Sequence, residues 1–196
     1  DYTASNSPSF SYDPDGDGVA DPQPYNNTTG FISTSGKNQY PKMTMEMKNP
    51  ETGEIEATSG EQGFLYVDMR IKRMGITDHS DIRFYDSNEN TISILRLVKA
   101  SAPRLNTTSD TGGLVTTTTI ANGSSTNWWY YRQIYDFNTK TFQAFIGETL
   151  DTLEPFRDDT TSYNFSNASA SDFYKVSIGV NNYAKSAVSF DDFKVY

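Results

Sequence analysis

The chain has 196 residues, 16 Lys and Arg against 25 Asp and Glu, no cysteine and a formal net charge of -9. One domain with a sizeable core fits that length without any disulfide; thiolate metal sites and cysteine nucleophiles are excluded, and the acidic surface argues against nucleic acid and anionic membranes as partners. No apolar stretch approaches the roughly 18 residues of a membrane helix, and the wealth of Thr, Ser, Asn, Tyr and Phe favours strands and turns over helices.

The opening Asp1-Tyr2-Thr3 has no leader pattern and reads as a processed product or a domain of a larger multidomain protein. Residues 1 to about 30 are dense in Asp, Asn, Pro, Ser and Gly and read as an acidic loop segment of the same domain, with the sandwich occupying 31–196. Strands begin there. Lys42-Met43-Thr44-Met45-Glu46-Met47-Lys48 alternates, and Asn49 to Glu54 is a turn. Leu65, Val67, Met69 and Ile71 share one face of the next strand, while Tyr66, Asp68, Arg70 and Lys72 share a wet outer side. Ile82 to Asp86 and Thr91 to Val98 follow, the Ile94-Leu95 doublet suggesting a bulge or a shift.

Leu114 to Ile120 can be a strand. Trp129 to Phe137 and Thr141 to Ile146 flank Asn138-Thr139-Lys140 as a hairpin. Residues 147–172 are loop-like, Tyr174 to Val180 is a strand, and Ala187 to Tyr196 closes the chain. Many short strands with polar turns predict an all-β sandwich, a jelly roll.

Three features can carry chemistry. Asp13, Asp15 and Asp17 alternate, Gly18 permits a sharp turn, the Val19 carbonyl is a further oxygen, and Asp21 closes the run. Calcium takes six to eight hard oxygen ligands, so a tight loop with alternate Asp suits it; the alternative is a solvated acidic turn, in which the carboxylates would repel one another. Pro24 stands where an EF-hand has its bidentate Glu. Asp191 and Asp192 form a second acidic feature, of which at most one side chain points inward.

The third is Trp128-Trp129-Tyr130-Tyr131. Trp129, Tyr131 and Gln133 share a face with Tyr135 and Phe137, an aromatic stripe suited to burial. Trp128, Tyr130 and Arg132 lead to Asp136, and charged residues are almost never buried unpaired, so this face is expected to meet solvent and bind sugar rings. The alternative is that all four aromatics pack between two sheets. His79 is the only histidine, and there is no GxSxG context or recognisable acid/base strand. The sequons at Asn26, Asn27, Asn106, Asn122, Asn164 and Asn167 are about what so Asn- and Thr-rich a chain yields.

The hairpin Tyr135-Asp136-Phe137-Asn138-Thr139-Lys140-Thr141-Phe142 resembles the antiparallel pair of concanavalin-A-like and LamG-like jelly rolls. Val188-Ser189-Phe190-Asp191-Asp192-Phe193-Lys194-Val195-Tyr196 is similar to the last strand of secreted bacterial carbohydrate-binding modules, and the acidic loop is similar to thrombospondin type 3 and dockerin calcium loops. The resemblance implies a calcium-stabilised, secreted or cell-surface module that binds a polysaccharide of plant cell wall type, and the lone His, the absence of cysteine and the lack of a recognisable acid/base strand give the expectation that it is not an enzyme. It implies an Asp at 191 or 192 beside a structural calcium; the expected sugar contacts remain Trp128, Tyr130 and Arg132, from the alternation of their strand. The rival expectations are a jelly-roll lyase or glycoside hydrolase, and a calcium-rigidified adhesion domain.

Overall fold

Period-two patterning is realised as strand after strand. In the computed structural model the described residues are 2–5, 9–11, 30–33, 42–47, 52, 54–74, 79–98, 103–106, 114–117, 128–158, 162–180 and 187–196. They form β1 (Tyr2–Ser5), β2 (Ser9–Ser11), β3 (Gly30–Ser33), β4 (Lys42–Glu46), β5 (Phe64–Met74), β6 (His79–Tyr85), β7 (Thr91–Val98) and β8 (Arg104–Asn106). The later strands are β9 (Leu114–Thr116), β10 (Trp128–Asp136), β11 (Thr141–Gly147), β12 (Glu154–Pro155), β13 (Tyr163–Asn164), β14 (Lys175–Val180) and β15 (Ala187–Val195). The one helical element among the described residues is a short 3-10 turn, Leu150–Thr152.

The expected all-β sandwich is therefore the fold. The first sheet runs β1-β4-β14-β6-β7-β8-β9, and the second runs β12-β11-β10-β5-β15-β3-β2 with β13 also beside β11. Two strands fall in the stretch read as loop: β1 lies at the edge of the first sheet and β2 at the edge of the second. An edge strand needs one partner only, and segments as short as Tyr2–Ser5 and Ser9–Ser11 hold too few residues to display an alternation.

The core fills the space between the sheets. Leu65, Val67, Met69 and Ile71 of β5 are each 1% exposed, and each such burial contributes about 1.5–3 kcal/mol. Tyr135 of β10 is the aromatic centre, with ring centroids 5.9–6.3 Å from Phe84, Phe137, Phe142, Phe165 and Phe173. Its hydroxyl does not go unpaired: it donates to Gln133 and meets Ser93 Oγ at 3.1 Å. Ser93 Oγ, from the opposite sheet, donates to Gln133 Oε1 at 2.7 Å, and Gln133 Nε2 donates to Tyr131 Oη at 2.5 Å. This network ties the sheets together, as the cost of an unpaired buried polar group demands. Burial pushes the phenols of Tyr131 and Tyr135 well above the ordinary tyrosine range.

Ile94-Leu95 is not the bulge. Ile94 pairs with Arg83 and Leu95 with Ile82 in regular register, and both side chains are fully buried, one on each face. The register shifts between Phe84 and Tyr85 instead, leaving Ile92 as the extra residue of β7 and turning it into the core.

Two turns fix the register of β5 and β10. Asp136 accepts from the Thr139 hydroxyl at 2.7 Å and from the backbone N–H groups of Asn138 and Thr139 at 2.9 and 3.2 Å. These bonds, the Thr139 hydroxyl first, hold its carboxyl below the usual carboxylate range. The turn abuts the entry to β5: Phe137 N donates to Gly63 O and Asn138 Nδ2 to Gln62 O, both at 2.8 Å. Gly60 there has φ +74°, and a Cβ on it would lie 1.7 Å from Phe64 O, so no other residue fits.

Candidate functional site

Successive residues of β10 face opposite ways. Tyr131, Gln133 and Tyr135 are buried, and Trp129 packs partly against the core. Trp128, Tyr130 and Arg132 come out together on the outer face of the second sheet, where β5 lies alongside: Trp128 pairs with Lys72, Tyr130 with Arg70, Arg132 with Asp68 and Ile134 with Tyr66. On the other side of β5, Asp191 pairs with Arg70 and Lys194 with Asp68, so Asp192 and Phe193 oppose Met69 alone in a bulge. Beyond it Tyr196 exchanges both backbone hydrogen bonds with Tyr66, at 2.8 and 3.0 Å.

The centre of this face is a closed hydrogen-bonded group. Arg132 Nε and Nη2 donate to the two oxygens of Asp68 at 2.7 and 2.6 Å. Nη2 also donates to Tyr196 Oη at 2.7 Å, and that hydroxyl donates to Asp68 Oδ2 at 2.8 Å. Asp68 is 4% exposed and therefore needs these partners. The Asp68 carboxylate raises the Arg132 pKa further, so this guanidinium is a permanent cation. Partial burial, then the bond to Asp68, raises the Tyr196 phenol, which stays a neutral donor at ordinary pH.

Aromatic rings flank the group on two sides. Tyr66 and Tyr196 stack with centroids 5.5 Å apart and planes 7° from parallel. They remain 37% and 57% exposed, and Phe64, on the same side of β5, is 47% exposed. Proteins hide such surface unless it is used, and here it is contiguous. On the other flank the Arg70 guanidinium lies 4.8 Å from the Trp128 ring centroid and 5.5 Å from that of Tyr130. Each such cation–π contact contributes about 0.5–2 kcal/mol. From the Trp128 row to the Tyr66 row is six residues of β10, or about 20 Å. A chain of several pyranose rings spans that distance.

Phe64, Tyr66, Asp68 and Tyr196 were not singled out by sequence. Tyr66 and Asp68 were legible as outer-side residues of β5, but their partner Tyr196 lies 128 residues from Asp68, and only the β5–β15 register joins them. The acidic loop Asp13, Asp15, Asp17, Val19 and Asp21 lies outside the described residues, as do the side chains of Asp191, Asp192 and His79. Among the described residues no group of three or more His, Asp or Glu could hold a metal ion, and no helix is long and apolar enough to cross a membrane.

No family model matches the sequence, and no curated protein matches it. Solved structures share the fold. A sialidase superposes with a TM-score of 0.63 at 10% identity over 86% of this chain, which spans 15% of the sialidase. An alginate lyase of polysaccharide lyase family 7 gives 0.56 at 14% identity, covering 95% of this chain and 81% of the lyase. A GH131 β-glucanase catalytic domain from Podospora anserina gives 0.53 at 10% identity, covering 86% and 71%.

These neighbours overturn the expectation that the chain is not an enzyme. That expectation rested on a lone His, the absence of Cys and the lack of a recognisable acid/base strand. Glycoside hydrolysis needs a pair of carboxylates and neither His nor Cys. In a sheet such a pair is assembled across strands, as Asp68 and Tyr196 are brought together here, and no linear motif announces it. The chain has the β-sandwich fold on which a β-glucanase catalytic domain and an alginate lyase are built.

Proposed function

We propose that this chain is a polysaccharide-binding domain of a secreted or cell-surface bacterial protein, and that the outer face of the second sheet holds the glycan. The observation that carries the reading is the gathering of Phe64, Tyr66 and Tyr196, all exposed, beside the Arg132–Asp68 pair. Pyranose rings present apolar C–H faces with hydroxyls at their edges. Flat exposed rings bordered by a fixed guanidinium suit both parts, the rings by stacking and Arg132 as a hydrogen-bond donor. Trp128 and Tyr130, with Arg70 over them, extend the platform. The sugar-handling proteins named among the fold neighbours, a sialidase, an alginate lyase and a β-glucanase, support the same reading.

Calcium at Asp13, Asp15, Asp17, Asp21 and the Val19 carbonyl is part of the proposal, on the strength of the oxygen-donor spacing. That segment joins β2 to β3 in the chain, so an ion there would brace one edge of the second sheet.

Affinity electrophoresis against a polysaccharide panel tests the site. The parent is expected to be retarded by at least one polymer, and Tyr66→Ala, Tyr196→Ala and Trp128→Ala to be retarded less while melting near the parent temperature. By analogy with bases stacked on aromatics, each platform is worth about 1–3 kcal/mol, or tenfold and more in affinity. Equal retardation of parent and all three variants places the glycan elsewhere. The same incubations are read for reducing ends and unsaturated products, which report turnover.

A further inference from the structure

One arginine on the outer face of the first sheet stands apart from the rest. Arg70 lies over the Trp128 and Tyr130 rings, Arg83 and Arg96 share Asp81, and Arg132 holds Asp68. Arg104 of β8 has no such counterpart among the described residues. It is half-buried, and its Nε is closed off from solvent with no hydrogen-bond partner. Register makes the position less favourable still. Arg104 pairs with Arg96 of β7 on one side and with Thr116 of β9 on the other. Leu95, Leu97 and Leu105 turn into the core, so their neighbours Arg96 and Arg104 project together from the outer face, with Thr116 in the same row.

Like charges directly opposite one another on paired strands destabilise a sheet. A cation that has lost part of its hydration needs acceptors in exchange. Asp81 does not supply them to Arg104, since its two oxygens are taken by Arg96 and Arg83. The fold thus keeps, near the β9 edge of the first sheet, a positive charge that weakens the chain when it is alone. From this orphaned guanidinium we infer a second binding site, on the other sheet from the glycan face and independent of it, for a single compact oxyanion of carboxylate, sulfate or phosphate chemistry. The terminal N–H groups of Arg104 donate charge-assisted hydrogen bonds to the anion. The Thr116 hydroxyl is a further donor in the same row, and Arg96 adds its positive field across the strand pair. The anion comes from one of two sources, a free inorganic ion or the acidic group of a saccharide. Both share the one requirement the site imposes, a localised negative charge on oxygen.

The test is thermal melting of the parent, Arg104→Met and Arg104→Lys in chloride at constant ionic strength, with added millimolar sulfate, glucuronate or, as the neutral control, glucose. Low concentration keeps the general stabilising effect of sulfate small, and Arg104→Met reports what remains of it. With either anion at about ten times its Kd, the parent Tm should rise by roughly 3–6 °C, and glucose should leave it unchanged. Arg104→Met should lose the shift and Arg104→Lys should keep part of it. In chloride alone, Arg104→Met keeps the unbranched stem and drops the charge, so it should melt at or above the parent temperature. A larger shift with glucuronate assigns the site to an acidic saccharide, and a larger shift with sulfate assigns it to a free inorganic ion. No shift with either anion, or equal shifts in the parent and Arg104→Met, overturns the site. So does an Arg104→Met that melts several degrees below the parent in chloride, because the arginine would then support the fold itself. Tyr66→Ala, on the glycan face, should show the full parental shift, so failure of one site leaves the other standing.

Discussion

Each sheet presents an arginine–aspartate pair on its outer face, and the two pairs keep different company. On the first sheet, Arg96 of β7 holds Asp81 of β6 with bonds of 2.6 and 2.8 Å, and Arg83 adds a third at 3.2 Å. Register places another cation, Arg104, opposite Arg96 on β8. None of the exposed large apolar or aromatic side chains among the described residues belongs to that sheet's strands. On the second sheet the equivalent pair, Arg132 and Asp68, is joined by the Tyr196 hydroxyl and flanked by the Tyr66–Tyr196 stack. An ion pair on a sheet surface locks two strands in register and is worth little more than that. What distinguishes the second face is aromatic surface left exposed beside it, which costs hydration and repays nothing in the folded chain alone.

The largest effect separates inside from outside on one strand. Tyr135→Ala removes the centre of the aromatic core and the hydroxyl that joins Ser93 and Gln133 in the buried network, so it should cost about 3–5 kcal/mol in chemical denaturation. Tyr130→Ala, on the other face of β10, should change stability by well under that and reduce polysaccharide retention instead. The buried phenols add a pH signature. Tyr131 and Tyr135 keep their protons in the folded state beyond the value of about 10 at which an unfolded tyrosine releases them. The unfolded state then binds fewer protons, and stability falls as pH rises through that region. Denaturation midpoints should be level up to about pH 9 and drop above pH 10, with tyrosinate absorbance appearing together with unfolding. Ionisation of all tyrosines before any loss of structure would contradict the buried network.

Calcium comes next in size. With the ion at about 100 times its Kd, native-state binding contributes roughly 2.7 kcal/mol, or roughly 5–10 °C in Tm for a chain of this length. Chelation should lower Tm by that amount, and Asp15→Ala with Asp17→Ala should reproduce it. Identical melts with and without chelator, from metal-free protein, would remove calcium from the proposal. Chelation lowers stability without selecting one outer face, so it should leave the contrast between the Asp68 and Asp81 variants intact.

Those variants test the comparison itself. Asp68→Ala and Asp81→Ala each leave arginine without its carboxylate in a part-buried setting. Both should cost about 1–3 kcal/mol. Only Asp68→Ala should also release Arg132 and Tyr196 from their common geometry and weaken retention by a polysaccharide. Loss of retention in Asp81→Ala of equal size, at equal stability, would move the site to the first sheet.

How much of this was legible depended on distance along the chain. The two faces of β10 follow from alternation: charged Arg132 had to face out, and the stripe from Tyr131 to Tyr135 had to face in. β5 was as plain, since Leu65, Val67, Met69 and Ile71 never break step. What alternation does not carry is register. Nothing local says that Tyr196 pairs with Tyr66, because the Asp191–Lys194 bulge resets β15 against β5. The bulge at Ile92 was hidden for a related reason: Ile94-Leu95 looked like a face switch, but a strand buried on both sides is apolar at successive positions without any irregularity. The chemistry-bearing contacts of this face are cross-strand contacts, and so were the least visible.

The smallest effect on stability is expected where the functional effect is large, at the Tyr66–Tyr196 stack. The rings lie 7° from parallel at 5.5 Å, an arrangement worth about 0.5–1.5 kcal/mol beyond burial. Both are substantially exposed, so little burial is added. Tyr196→Phe keeps the ring and removes the hydroxyl that joins Arg132 to Asp68; Tyr66→Ala removes one ring and leaves that bridge. A double-mutant cycle with Tyr66→Ala and Tyr196→Ala should give a coupling within about 1.5 kcal/mol. If the rings exist to carry a ligand, Tyr66→Ala should reduce retention by a polysaccharide tenfold or more, and Tyr196→Phe should reduce it less, since its stacking surface survives. A coupling of several kcal/mol with unchanged retention would show instead that the stack is a structural clamp closing β15 onto β5. The outer face would then differ from that of the first sheet in how it is held together, and no longer by holding a polysaccharide.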